Sequence, residues 1–140
     1  MNIKRLVISI VVVFIAVTLT DLLIHGLWMS PVYGATKELW RPEEEMSSGK
    51  YMAWLHAGHA LAALAFTSLW ALGFASGAKI SRAVQYGLLM ALFGQSYTLI
   101  TYAVQPFTLE IVWKWIIGGI AQGMVLGVVV FLVYKPKAAE

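Results

Sequence analysis

Four apolar runs, residues 6–29, 51–75, 83–104 and 111–134, occupy most of this 140-residue chain. A helix needs roughly 20 apolar residues to cross about 30 Å of hydrocarbon, so each run is long enough to span a bilayer. Inside lipid every backbone N–H and C=O must be satisfied within the protein, and a helix does this within a single segment. The runs therefore predict an all-α fold: one transmembrane domain, residues 1–140, with four spans and little chain outside the membrane. The links at 76–82 and 105–108 are short. Short links predict antiparallel neighbours and an up-down-up-down four-helix bundle.

Composition agrees with this class, since 60% of residues are hydrophobic and only 12% are charged. An ordinary soluble domain carries about twice that share of charge. Cysteine is absent, which excludes disulfides and thiolate chemistry. The net charge of +3 has no basic surface domain to carry it, so the expected partner is the lipid bilayer and not nucleic acid. Lys4 and Arg5 before an apolar run resemble a secretory signal. That run continues past Asp21 with no small-x-small cleavage pattern, so an uncleaved first span is expected. Lys4, Arg5, Lys79, Arg82, Lys135 and Lys137 fall on one side of the membrane; Lys37, Arg41, Lys50 and Lys114 fall on the other. The positive-inside rule then places both termini in the cytoplasm of a multi-pass inner-membrane protein.

Two boundaries are read from local chemistry. Ser30-Pro31 is expected to end the first span near Met29, because a residue before proline is biased away from helix. The second helix starts either at Pro42, with Glu43, Glu44 and Glu45 against its positive end, or after a break at Ser47-Ser48-Gly49.

Ionisable residues within spans are rare, face protein or water, and mark functional sites. All three histidines, His25, His56 and His59, lie near one end of the first two spans, and Asp21 stands one turn from His25. Each span carries a polar stripe at helical spacing. These are Thr18, Asp21, His25 and Met29; then Glu45, Gly49, Met52, His56 and His59; then Gln95, Thr98, Tyr102 and Gln105; and last Glu110, Lys114, Gly118 and Gln122. At about 1.5 Å rise per residue the stripes share a depth in one half of the bundle. They are expected to converge on its axis as a cup open to the outside. The nearly pure hydrocarbon of the other half disfavours a transport path.

His25, His56 and His59, with Asp21 as ligand or as the carboxylate that orients an imidazole, predict a site for zinc, copper or iron. The same histidines could serve as axial ligands of a b-type haem, with Arg41 for its propionates. Tyr102, Gln95 and Gln122 complete the expected cofactor-binding set, and a quinone held by one histidine and Tyr102 is a variant. A metal-activated water would make the protein a metal-dependent enzyme. The contrasting reading is a structural or accessory subunit whose polar core is hydrogen-bonded glue. Gly119, Gly123 and Gly127 form a small-xxx-small ridge that lets helices approach closely. The ridge is expected to meet the alanine-rich segment 57–65 of helix two, or to form a homo-oligomer or a contact within a larger membrane complex.

Overall fold

The computed structural model describes residues 2–136, so Lys137 of the charge count lies outside the described residues. Those residues form helices and connecting turns. Four helical stretches, Ile3–Trp28, Gly49–Phe74, Ile80–Val104 and Leu109–Val133, are long and apolar enough to cross a membrane. Each begins two or three residues before the apolar run that announced it.

Helix α1 (Ile3–Asp21) starts where the Asn2 side chain accepts from the Arg5 N–H at 3.2 Å, satisfying one of the unpaired donors at a helix start. It continues as a π-helical turn, Leu22–Trp28, closed by Met29 N–H donating to the Ile24 carbonyl at 2.8 Å. The chain does not then become a loop. Pro31 sits in the first turn of a short helix α2 (Ser30–Ala35), where its missing N–H is not needed. A 3₁₀ turn (Lys37–Leu39) and helix α3 (Glu43–Met46) follow. Of the two starts expected for the second span, the break is the one found: Ser48 is extended, and α4 (Gly49–Leu69) begins after it. A second π turn, Trp70–Phe74, ends that span. The hairpin to α5 (Ile80–Val104) turns on Gly77, whose φ of +61° favours glycine. Thr108 caps α6 (Leu109–Val133) by accepting from Ile111 N–H at 3.4 Å.

Packing follows an order different from the sequence. Helix α1 lies between α4 and α6, and α5 packs on α6. Helices α4 and α5, neighbours in the chain, meet chiefly where the turn Trp70–Phe74 reaches α5. There Tyr86 contacts Phe66, Trp70 and Phe74 with ring centroids 4.7, 5.3 and 4.8 Å away, and its hydroxyl donates to the Phe66 carbonyl. Val13, Val17, Ala63 and Val130 fill the same core. This end, with Asn2 N–H donating to Tyr134 Oη at 3.3 Å, is closed. Toward the other end α4 and α5 part. Residues 29–40 and Phe107 cover that end with an aromatic cap, in which Trp40 and Phe107 stack at 5.4 Å and Trp115 lies 5.2 Å from Phe107.

The glycine ridge packs within the chain, but not on helix two. A Cβ at Gly123 would lie 2.6 Å from Ala91 Cβ and 2.6 Å from the Gly87 carbonyl oxygen. One at Gly127 would overlap the Ala83 carbonyl, and one at Gly87 the Gly123 carbonyl. The mate is Ala83, Gly87 and Ala91 of α5, itself a four-residue small repeat. Gly119 plays a separate part, because a Cβ there would overlap the Gln95 side-chain amide.

Gly123→Leu should therefore force α5 and α6 apart and destabilise the bundle by about 2–3 kcal/mol, the usual scale for overpacking a tight contact. Thermal unfolding of the detergent-solubilised variant measures this. An unchanged transition would show that the α5–α6 seam is not closely packed.

Candidate functional site

Asp21 is the last residue of α1 before the π turn. Its Oδ2 accepts from His59 Nε2 at 2.7 Å, and its Oδ1 accepts from Gln122 Nε2 at 2.9 Å. The second Gln122 N–H goes to Thr20 Oγ1 at 2.8 Å, and Thr20 donates to the Ala16 carbonyl at 2.8 Å. One carboxylate thus ties together α1, α4 and α6. Burial among helices makes each of these bonds matter, because an unmet polar group in hydrocarbon is costly.

The π turn decides what happens to His25. In a regular helix Asp21 and His25, four apart, would lie over one another. Here His25 Nε2 is 4.0 Å from Asp21 Oδ1, beyond hydrogen-bond reach, and its Nδ1 lies 2.5 Å from Tyr33 Oη. Trp115 Nε1–H donates to the same phenol oxygen at 2.8 Å. Indole is only a donor, so Tyr33 accepts from Trp115, and the arrangement that uses the phenol hydrogen has it donated to His25 Nδ1. In that tautomer the ring hydrogen of His25 is on Nε2, where it has no close acceptor. π turns of this kind occur frequently at functional sites.

His59 is buried and engaged at both nitrogens: Nε2 on Asp21, and Nδ1 at 3.2 Å from Thr18 Oγ1. The Thr18 hydroxyl has one hydrogen and two candidate acceptors, His59 Nδ1 and the Phe14 carbonyl at 2.9 Å. It can serve only one of them at a time.

Two cavities flank this network where the sequence suggests a single cup. The larger, about 450 Å³, lies between α1 and α4. Leu19, Leu22, Met52 and Leu55 form its apolar walls, and His25, His56, His59 and Asp21 its polar end. The smaller, about 280 Å³, lies between α1, α5 and α6, with Gln95, Thr98, Gln122 and His25 in its lining. His25 and Trp115 line both cavities.

His25, His59 and Asp21 line the larger cavity, and His25, Gln95 and Gln122 line the smaller one. His56 joins only as a wall of the larger cavity. Its ring is 6.0 Å from that of His59 and 6.2 Å from Phe14, and it makes no hydrogen bond among the described residues. Tyr102 is 41% exposed and lines neither cavity. Arg41 lies apart, bonded to Tyr51 Oη at 3.0 Å and paired with Glu45 at 3.4 Å. Among the described residues no group of three or more His, Cys, Asp or Glu could hold a metal ion. The hydrogen bonds account for this: His59 spends both nitrogens, and His25 is turned to Tyr33. The expectations of zinc, copper, iron or b-type haem gain no support from this arrangement.

Tyr33 and Trp115 are the members that reasoning from sequence leaves out. Trp115 carried a signal nonetheless, since it stands seven residues before Gln122 on the same face of α6. Tyr33 lies outside the spans, and burial raises its phenol pKa above the usual 10.0; the Trp115 bond lowers it, and the Asp21 charge raises it again. An acid whose folded pKa is raised holds its proton more tightly when folded. The stability it contributes is complete below the unfolded pKa and is lost as pH rises through the folded one.

Thermal stability scanned across about pH 9 to 11 should accordingly fall more steeply for the wild type than for Tyr33→Phe, which lacks this proton. Parallel curves would show that Tyr33 is not held protonated by its surroundings. Comparison with protein-family models, with curated proteins and with solved structures finds no match, so the chemistry of the site alone carries the functional reading.

Proposed function

We propose that the protein binds a lipid-soluble molecule of the quinone class in the cavity between α1 and α4. The observation that carries this reading is a pair of imidazoles on its walls with uncommitted ring hydrogens. His25 Nε2 stands 4.0 Å from its closest carboxylate oxygen, and His56 makes no hydrogen bond among the described residues. A flat ring with carbonyl oxygens accepts from such donors, and the leucines suit its apolar body. Leu19, Leu22 and Leu55 are also exposed on the outside of the bundle, at 56%, 61% and 47%. A ligand can therefore come sideways from the bilayer. Asp21 and His59 supply a carboxylate–imidazole pair beside the bound head, able to accept or return a proton.

The bundle carrying this site is proposed to run up-down-up-down in an inner membrane with both termini cytoplasmic, on the Lys and Arg count. The histidine end then faces outward. The chain has no cysteine, so a single Lys37→Cys variant reports topology cleanly. A membrane-impermeant thiol reagent should label it from outside in spheroplasts. Labelling only after lysis would reverse the orientation.

The ligand is tested with a short-tailed ubiquinone analogue, titrated against the purified protein in detergent and followed by tryptophan fluorescence. Saturable quenching is expected, because Trp115 lines the cavity. His25→Phe with His56→Phe keeps the ring volume and removes both donors, and it should weaken binding about tenfold or more. Asp21→Asn should weaken it less. Quenching that never saturates, or equal affinity in the double variant, would refute the reading.

A further inference from the structure

The smaller cavity, between α1, α5 and α6, shares His25 and Trp115 with the proposed quinone site and has different chemistry. We propose that it binds a small uncharged primary carboxamide.

The argument rests on which amide atoms are already used. Gln122 directs its nitrogen to Thr20 Oγ1 at 2.8 Å and to Asp21 Oδ1 at 2.9 Å, which fixes its flip. Its carbonyl oxygen has no partner among the described residues and belongs to a side chain lining the cavity. Gln95 is placed in the opposite sense. Its Oε1 accepts from the Thr98 hydroxyl at 2.7 Å, and its NH₂ has no hydrogen-bond partner among the described residues. That amide lies directly over Gly119, where a Cβ would collide with it, so it is one helical turn from Gln122 on α6. The cavity therefore presents an acceptor and a donor from two amides held in complementary orientations. A primary carboxamide offers the matching pair, N–H to Gln122 and C=O to Gln95.

The lining also says what does not belong. Gln95, Thr98 and Gln122 are neutral, His25 is the one titratable group of the lining, and no Lys, Arg, Asp or Glu is among it. A carboxylate would find no ammonium or guanidinium there, and an ammonium no carboxylate. Ile24 and the Trp115 ring supply an apolar wall against which an aryl or short alkyl group can lie. A volume of about 280 Å³ accommodates a single small ring and its amide, not a longer chain.

The probe is benzamide, with benzoate and acetophenone as controls, observed by saturation-transfer NMR on the full chain in detergent micelles. Benzamide should bind saturably and benzoate should not; acetophenone, lacking the N–H, should bind more weakly. Gln95→Met preserves side-chain length while removing the donor, and it should weaken benzamide about tenfold. Its thermal unfolding and its affinity for the ubiquinone analogue should stay at wild-type values, which separates this site from the other. Should Gln95→Met fold poorly, Thr98→Val removes the bond that orients the Gln95 amide and should weaken benzamide in the same direction. Absence of saturable benzamide binding by the wild type, or undiminished binding in a folded Gln95→Met, would overturn the proposal.

Discussion

A carboxyl group placed inside a transmembrane helix must find donors or it cannot stay there, and Asp21 finds them on two other helices. His59 reaches it from α4 and Gln122 from α6, so the position of the central helix relative to both neighbours is specified by a single side chain. Apolar packing alone would not do this, since lipid tails are as hydrophobic as leucine and helices gain little by exchanging one for the other. Once Asp21 is held, the rest of the site follows. The π turn after it leaves His25 beyond hydrogen-bond reach, Tyr33, itself bonded by Trp115, takes up that imidazole, and the ring lines both cavities.

The two ends of the molecule are built on different physics. At the closed end, Trp70, Tyr86, Phe66 and Phe74 interlock around the π turn of α4. The α5–α6 pair adds a seam in which Gly87, Gly123 and Gly127 let backbones touch. At the other end α4 and α5 part, and the space that would have been core holds imidazoles, amides and open volume. Stability is concentrated in one half, and chemistry has room in the other.

The spans were legible because length and hydropathy need no tertiary information, and the stripe of Thr18, Asp21 and His25 against His59 was legible because helical spacing sets facing. What resisted were features that depend on a partner. Nothing in Leu22–Trp28 announces a π turn, and without it the distance from Asp21 to His25 is misjudged. Pro31 reads as a terminator, yet proline in a first turn costs nothing, so α2 and with it Tyr33 escaped notice. For the glycine ridge the sequence offers the alanines of the second span or a contact with another chain. Ala83, Gly87 and Ala91 carry the same spacing on α5, and only contact tells these mates apart. The short hairpin brings α4 and α5 together chiefly at the Trp70–Phe74 turn, a distribution that the length of the link does not reveal.

The long reach of the Asp21 bonds has a consequence for biosynthesis. His59 lies 38 residues downstream of Asp21, and Gln122 lies 101 downstream. When the first span reaches the membrane, neither partner helix is yet beside it. Its carboxyl must wait at the insertion machinery or sit shallow in the headgroups until α4 arrives. The second oxygen stays unclaimed until the last helix is synthesised. Assembly therefore has a built-in sequence: α1 is committed to depth by α4, and the arrangement is locked only when the end of the chain brings Gln122 into place.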